Sequence, residues 1–280
     1  MRVRIKATDM ERMFRMSANG IRLYEKHGII KPQREEGSAY RVYGEPEMQA
    51  MGCAVQFRRY GFTMPQTAQL LGGMDEARQR SAMAERVDAL ELEIERLTRV
   101  RRSLRTHQRR ARYAEQLLGS CVVEDKPAMY FLASQRGGSL VGGGAGDMAG
   151  EWIDRYAPHL SAAMLLDGPY FTQDGYDRPP LGGVAVDAEM ALELGLCPSP
   201  DVSYLPPKPC ILTGVRDEPG LGLDAAVERV RRYARDNGLI LHAGGLVRLV
   251  QCVRRGDRLV TTGLLWARLE QDDRRFGEMK

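Results

Sequence analysis

Apolar and polar positions change rhythm several times along the chain, and each change marks an element. Met1 to Lys6 alternates with period two, as a short strand does. Thr8 can cap a helix over Asp9–Met13, and Phe14-Arg15 leaves room only for a tight turn before Ser17. Ser17 is a good N-cap for a second helix whose apolar side is Ile21, Leu23 and Tyr24. Gly28 stops that helix, Ile29-Ile30 turn back to the core, and Pro32 blocks continuation. Two short helices joined this tightly form a helix-turn-helix, with Ser17–His27 shaped to enter a major groove. A two-helix corner of some other α domain fits the same residues.

Next, Gly37-Ser38 makes a turn between strand-like Pro32–Arg34 and Tyr40–Tyr43, a hairpin or wing. Glu45-Pro46 opens a third helix with Met48, Met51, Val55 and Phe57 apolar along it, and Gly61 ends it. Thr63 caps a fourth that Gly72-Gly73 stops. From Glu76 to Leu118 there is neither proline nor glycine. Met83, Val87, Leu90, Ile94 and Leu97 alternate spacings of four and three there, the seam of a coiled coil on one long helix.

Beyond Gly119 the texture becomes mixed. A strand is expected at Ala128–Ala133, a mobile connector at Gly137–Gly146, a helix at Glu151–His159 and a strand around Met164–Tyr170. A helix near Asp187–Leu194 closes this round. A second round follows, with strand Cys210–Val215, helix Asp224–Asn237, strand Leu246–Val253 and strand Leu259–Leu269. The shared order suggests a duplicated α+β unit.

Charge sharpens this division. Residues 1–120 hold 23 Lys/Arg against 15 Asp/Glu, whereas the remainder holds 18 against 22. A basic front half suits a polyanion. Eight arginines lie between Arg96 and Arg112, either a phosphate-contacting run or a solvated helix face. Cys53, Cys121, Cys197, Cys210 and Cys252 form no CxxC or Cys/His cluster, so no metal site and no cofactor is expected. No apolar run is long enough to span a bilayer and no signal peptide is visible, so the expected location is cytoplasmic.

With helix pair, wing, second pair and long helix in order, the first 120 residues resemble the MerR family of transcription regulators. The resemblance is carried by Ile21-Arg22-Leu23-Tyr24-Glu25, Gly28-Ile29-Ile30-Lys31-Pro32, Tyr40-Arg41-Val42-Tyr43 and Arg59-Tyr60-Gly61-Phe62-Thr63. More loosely, the back half resembles the GyrI-like effector domain of the BmrR-type multidrug-sensing members. The resemblance implies an α+β chain in three parts. These are a winged helix-turn-helix over 1–74, an antiparallel coiled-coil dimerisation helix over 75–119, and a duplicated effector-binding domain over 120–280.

It also implies function. A homodimer would hold a pseudo-palindromic promoter, and effector binding would reshape its over-long spacer for RNA polymerase, with spacer deformation energy as the regulated quantity. Carried over residue by residue, DNA contacts fall on Ser17, Asn19, Arg22, Tyr40, Arg41, Arg59 and Tyr60. Asn19 stands where relatives often have arginine, and Asn favours adenine over guanine. Tyr24 sits in an aromatic slot that could equally be core. The effector would be lipophilic, aromatic or cationic, held among Tyr130, Trp152, Tyr156, Tyr170, Tyr204 and Trp266 near the carboxylate of Glu270. Relatives tend to place a glutamate earlier in the final strand, where this chain has Thr262-Gly263-Leu264-Leu265-Trp266, so a neutral or anionic ligand also fits. One rival is a small-molecule hydrolase or scavenger fused to a DNA-binding front. His27, His107, His159 and His242 show no Ser/His/Asp or Cys/His grouping in sequence. A metal or redox sensor is the other rival, with only Cys121 at the end of the long helix.

Overall fold

A computed structural model describes residues 4–34, 40–142, 144–196 and 200–270. It divides into two compact units, Met1–Arg96 and Leu97–Lys280. In the first unit the elements are β1 (Ile5–Lys6), α1 (Ala7–Phe14), α2 (Ala18–Lys26), β2 (Gln33–Arg34), β3 (Arg41–Tyr43), α3 (Glu45–Arg59) and α4 (Met64–Gly72). The strands form an antiparallel sheet in the order β1-β3-β2. The expected Gly37-Ser38 turn lies outside the described residues.

Local chemistry accounts for most of these boundaries. The Ser17 hydroxyl accepts the Gly20 N–H at 3.2 Å, satisfying a free donor of the first turn of α2. Past its other end Gly28 takes φ 72°, the Gly28 N–H bonds the Glu25 carbonyl, and the Ile29 N–H bonds that of Tyr24. That pair of bonds is a Schellman close, which needs a left-handed residue at this position. Thr63 and Gln66 cap α4 reciprocally. Thr8 is not a cap: α1 starts one residue before it, after Lys6, whose side chain makes no capping bond. Met10, Ile21, Tyr24, Ile30, Tyr43, Met51 and Ala54 fill the core between the helices and β3.

The long helix α5 runs unbroken from Glu76 to Gln116, 41 residues, or about 60 Å at 1.5 Å per residue. Its first part is tied into the first unit, with Gln79 Nε2 donating to the Leu70 carbonyl at 3.0 Å and Arg86 Nε to the Tyr60 carbonyl at 2.8 Å. The boundary between units falls within this helix.

The second unit continues with β4 (Cys121–Lys126), β5 (Met129–Arg136), β6 (Ser139–Leu140), α6 (Ala145–Tyr156), β7 (Ser161–Leu166), β8 (Leu181–Asp187), α7 (Ala188–Glu193), β9 (Val202–Leu205), β10 (Lys208–Arg216), α8 (Leu223–Asp236), β11 (Leu241–Arg255) and β12 (Arg258–Leu269). All strands join one antiparallel sheet in the order β4-β10-β12-β11-β7-β8-β5-β6, and β9 also pairs with β5. The expected duplication is visible in this order. The series β5-α6-β7-β8 and β10-α8-β11-β12 meet where β7 pairs with β11. The leading strands cross over, β4 to β10 and β9 to β5.

Several boundaries differ from the periodicity. β4, β8 and β9 lie in stretches for which no strand was expected, and each is held in the sheet by pairing with strands distant in sequence. The helix expected at Glu151–His159 instead begins at Ala145 and ends at Tyr156, two residues short of Pro158. The glycine-rich stretch is therefore no plain connector: it contributes β6 to a hairpin with β5 and then enters α6. The strand expected around Met164–Tyr170 covers Ser161–Leu166, since Gly168-Pro169 begins a turn.

Because side chains alternate across a strand, the sheet has two differently covered faces. Met129, Phe131, Ala185, Cys210, Leu212, Leu246, Leu264 and Trp266 point to one face, where Ala114 and Leu117 from the end of α5 pack. Ile211, Val247, Leu265 and Ala267 point to the other, beneath Ala226, Val227 and Val230 of α8. Leu132 and Val186 share that second face beneath Ala149, Trp152 and Tyr156 of α6. At Gly214 the end of α5 comes so near that an added Cβ would lie 2.2 Å from the Ala114 carbonyl oxygen. The Gly214 N–H there donates to the Leu117 carbonyl.

Candidate nucleic-acid interface and effector cleft

In the first unit, α2 keeps Ile21 and Tyr24 in the core and leaves Ser17, Asn19 and Arg22 exposed. Asn19 and Arg22 lie one turn apart, and the Asn19 Oδ1 accepts from Arg22 Nη1 at 3.1 Å. The outward row is therefore a preformed pair of polar, base-capable side chains. Burial pushes the Tyr24 hydroxyl up, and the charge of Arg58 on α3 opposes that shift. Tyr24 is thus a packing residue.

Arg41 is placed differently from Arg22. Its Nη1 donates to both Glu25 oxygens at 2.9 Å, and the Tyr43 hydroxyl donates to the same carboxylate. Burial, followed by the Glu25 bond and charge, raises the Tyr43 pKa, so the phenol stays a donor. Glu25 therefore locks β3 of the wing to α2. Sequence reasoning missed this role. Tyr40, adjacent to Arg41, is strongly exposed. Arg59 and Tyr60 are exposed at the end of α3, and the Tyr60 hydroxyl accepts from Gln56 at 2.6 Å.

The second unit separates residues that the sequence grouped. Trp152 and Tyr156 meet edge to face at 6.1 Å, buried between α6 and the sheet. Tyr130 leans on Tyr204 at 5.2 Å beside that same core. Tyr170 contacts Tyr176 at 4.8 Å and donates its hydroxyl to the Arg178 carbonyl, within the core under α8. Trp266 lies on the opposite face. Trp152 and Trp266 cannot flank one ligand, because the sheet stands between them.

Trp266 lines a cavity of about 370 Å³ together with Leu165, Leu246, Lys126, His242 and Arg268, at the seam where the two repeats join. None of Tyr130, Trp152, Tyr156, Tyr170, Tyr204 or Glu270 lines it. Glu270 is exposed just past β12, its N–H bonded to the Ile240 carbonyl. Asp167 is the carboxylate that lines the cavity, and Lys126, His242 and Arg268 line it as well. Burial lowers the Lys126 pKa to about 8 and also lowers that of His242. A signal for Arg268 existed: Leu264, Trp266 and Arg268 alternate along one strand face. Nothing in the sequence marked Lys126, because β4 itself was not legible.

A second hollow of about 460 Å³ lies beside the later turns of α5, lined by Arg102, Ser103, Arg110, His159 and Asp187 among others. Here Ser103 Oγ approaches His159 Nδ1 to 2.6 Å, a Ser/His contact that spacing did not reveal. Glu193, the carboxylate whose charge acts on His159, is engaged by Arg102. Asp187 bridges Arg110 at 2.8 Å and the fully buried Arg248 at 2.7 Å. Burial pushes its carboxyl up, but the two guanidinium groups outweigh burial and hold it below the usual carboxylate range. Among the described residues no three His, Cys, Asp or Glu side chains converge as a metal site, and no helix is long and apolar enough to cross a membrane.

The family model described as MerR HTH family regulatory protein matches residues 5–73. Heavy metal-dependent transcription regulator 2 of Rhizobium meliloti (strain 1021) is 30% identical over 112 residues, covering 40% of this chain and 73% of that protein. A probable heavy metal-dependent transcriptional regulator of Haemophilus influenzae is 42% identical over 60 residues, covering 21% of this chain and 47% of that protein. Among solved structures, the EcmrR–DNA complex matches 95% of this chain and 99% of that one at 12% identity. Its TM-score of 0.34 is too low to carry an argument.

Proposed function

Since the chain belongs to the MerR family of helix-turn-helix regulatory proteins, we propose that it is a ligand-responsive transcription regulator, and not an enzyme, acting on promoter DNA as a homodimer. The observation that carries this reading is the first unit's outward row. Asn19 and Arg22 face solvent on a capped helix, and Glu25 ties that helix to the wing residue Arg41. Such a unit presents base-capable groups and a backbone clamp in fixed register, which is what groove readout needs.

Dimerisation is assigned to α5. Val87, Leu90, Ile94 and Leu97 are between 41% and 63% exposed within the chain, too much apolar surface in a single row to leave in water. The second unit, with its two repeats meeting at β7 and β11, is read as a GyrI-like effector domain, and the cleft beside Trp266 as its ligand site. Occupation of that cleft by a lipophilic molecule would favour one geometry of the bound promoter over another, so that RNA polymerase responds without the regulator leaving DNA. The test is run-off transcription from the protein's own selected operator, with and without a cleft ligand. Ligand-dependent transcript at unchanged operator occupancy supports the reading, and release from DNA on ligand binding contradicts it.

A further inference from the structure

We infer that the cleft beside Trp266 binds an amphipathic organic anion, an apolar ring or chain bearing a carboxylate or an equivalent single negative charge. This rests on the reading of the cleft as the effector site, and of the charges left open above it selects the anion over the cation that the family resemblance implies.

The cavity has an apolar body and a cationic end. Leu165, Leu246 and Trp266 supply the first, Lys126 and Arg268 the second. Lys126 is only 4% exposed, and both hydrogen bonds its ammonium makes among the described residues go to neutral carbonyls, Pro127 at 2.9 Å and Leu205 at 3.2 Å. One N–H is therefore left over. The Arg268 Nε is buried without a hydrogen-bond partner among the described residues. A buried cationic donor left unmatched is costly unless something supplies the missing acceptor.

Nearby carboxylates do not supply it. The charged groups acting on Lys126 from the neighbouring strands are Arg268 of β12, Arg248 of β11 and Asp187 of β8, with the Cys210 thiol of β10. Asp187 is already shared between Arg248 and Arg110. Asp167, which lines the cavity, is held by both terminal nitrogens of Arg136. Burial, then the charge of Arg268, lowers the His242 pKa against the opposing charge of Glu270, which is exposed and does not line the cavity. Lys126 and Arg268, both lining the cavity, are left without a carboxylate partner among the described residues, so a lipophilic cation would meet repulsion where an anion would supply acceptors to both.

The test uses the full-length protein and three compounds sharing one ring: 2-naphthoate, 2-naphthylmethanol and (2-naphthylmethyl)trimethylammonium. Calorimetry should show naphthoate binding at least roughly tenfold tighter than the other two, as a charge-assisted contact predicts. Lys126→Met and Arg268→Met, each first shown to melt cooperatively, should weaken naphthoate by roughly tenfold to a hundredfold and leave the alcohol unchanged. In naphthoate titrations above pH 8, binding should take up protons onto Lys126, seen as an enthalpy that depends on the buffer. Equal or tighter binding of the ammonium compound, or unchanged naphthoate affinity in both variants, overturns the anion assignment while leaving the cleft as a ligand site. Binding that leaves Trp266 emission unmoved in a Trp152→Phe background, or binding of none of the three, removes the cleft itself and the proposal with it.

Discussion

Glu25 joins two residues whose roles had looked independent, and its replacement separates recognition from architecture. Glu25→Gln keeps a hydrogen bond to Arg41 but loses the charge. It should cost about 1–3 kcal/mol of stability, because Arg41 and Tyr43 lose an ionised acceptor in a half-buried site. Arg22→Ala, by contrast, removes an exposed side chain bonded only to Asn19 among the described residues. It should leave the melting temperature nearly unchanged. Operator affinity should weaken by about 1–3 kcal/mol, and if the contact is to phosphate, the salt slope should fall by about one. A melting shift in Arg22→Ala with unchanged affinity would make it structural. Lys126 gives a prediction in pH. Its folded-state pKa, near 8, lies below that of an unfolded lysine, so between these values the unfolded chain binds more protons and stability gains with rising pH. Lys126→Met should therefore be more stable than the parent at pH 7, and the difference should shrink as pH rises above 8. Denaturant melts at pH 7 and pH 10 check this, and a gap that widens with pH contradicts it.

Elements differ in how much of them a reader of the sequence could find. The caps at Ser17 and Thr63 and the stop at Gly28 were legible because each depends on residues within five positions, whose chemistry is local. The long helix α5 was legible because neither proline nor glycine interrupts the stretch from Glu76 to Leu118. What escaped were β4, β8 and β9, short segments held by distant partners, and with them the face on which each aromatic lands. Trp152 read as a ligand residue because bulk and proximity to Tyr156 look alike in a core and in a pocket. Only strand register puts it across the sheet from Trp266. Two predictions belong at this scale. Replacing Leu90 and Ile94 together with Asp should convert a dimer to a monomer by sedimentation. Since both side chains are exposed within the chain, the fold of each unit should persist. A dimer surviving that change would mean the seam has been misassigned. Gly214→Ala should destabilise the second unit by about 1–3 kcal/mol or more, because the new methyl meets the backbone of α5 rather than a movable side chain.

Over the whole molecule, one helix belongs to both units. Its first turns hydrogen-bond the carbonyls of Leu70 and Tyr60, and its last turns carry Arg110 to Asp187 and Leu117 to Gly214. A ligand that rearranges charge around Lys126 acts on the same Asp187–Arg248 pair that engages the helix, which gives the proposed switch a physical route. All of this presupposes a protein that reads DNA in sequence-specific fashion as a symmetric pair. The most direct measurement is selection of random duplexes by the full-length protein near physiological salt, followed by footprinting of the enriched site. The account predicts a two-fold related pair of half-sites, protected together and lost in Arg22→Ala. Enrichment of no sequence, or of a single unpaired half-site bound by a monomer, would contradict it.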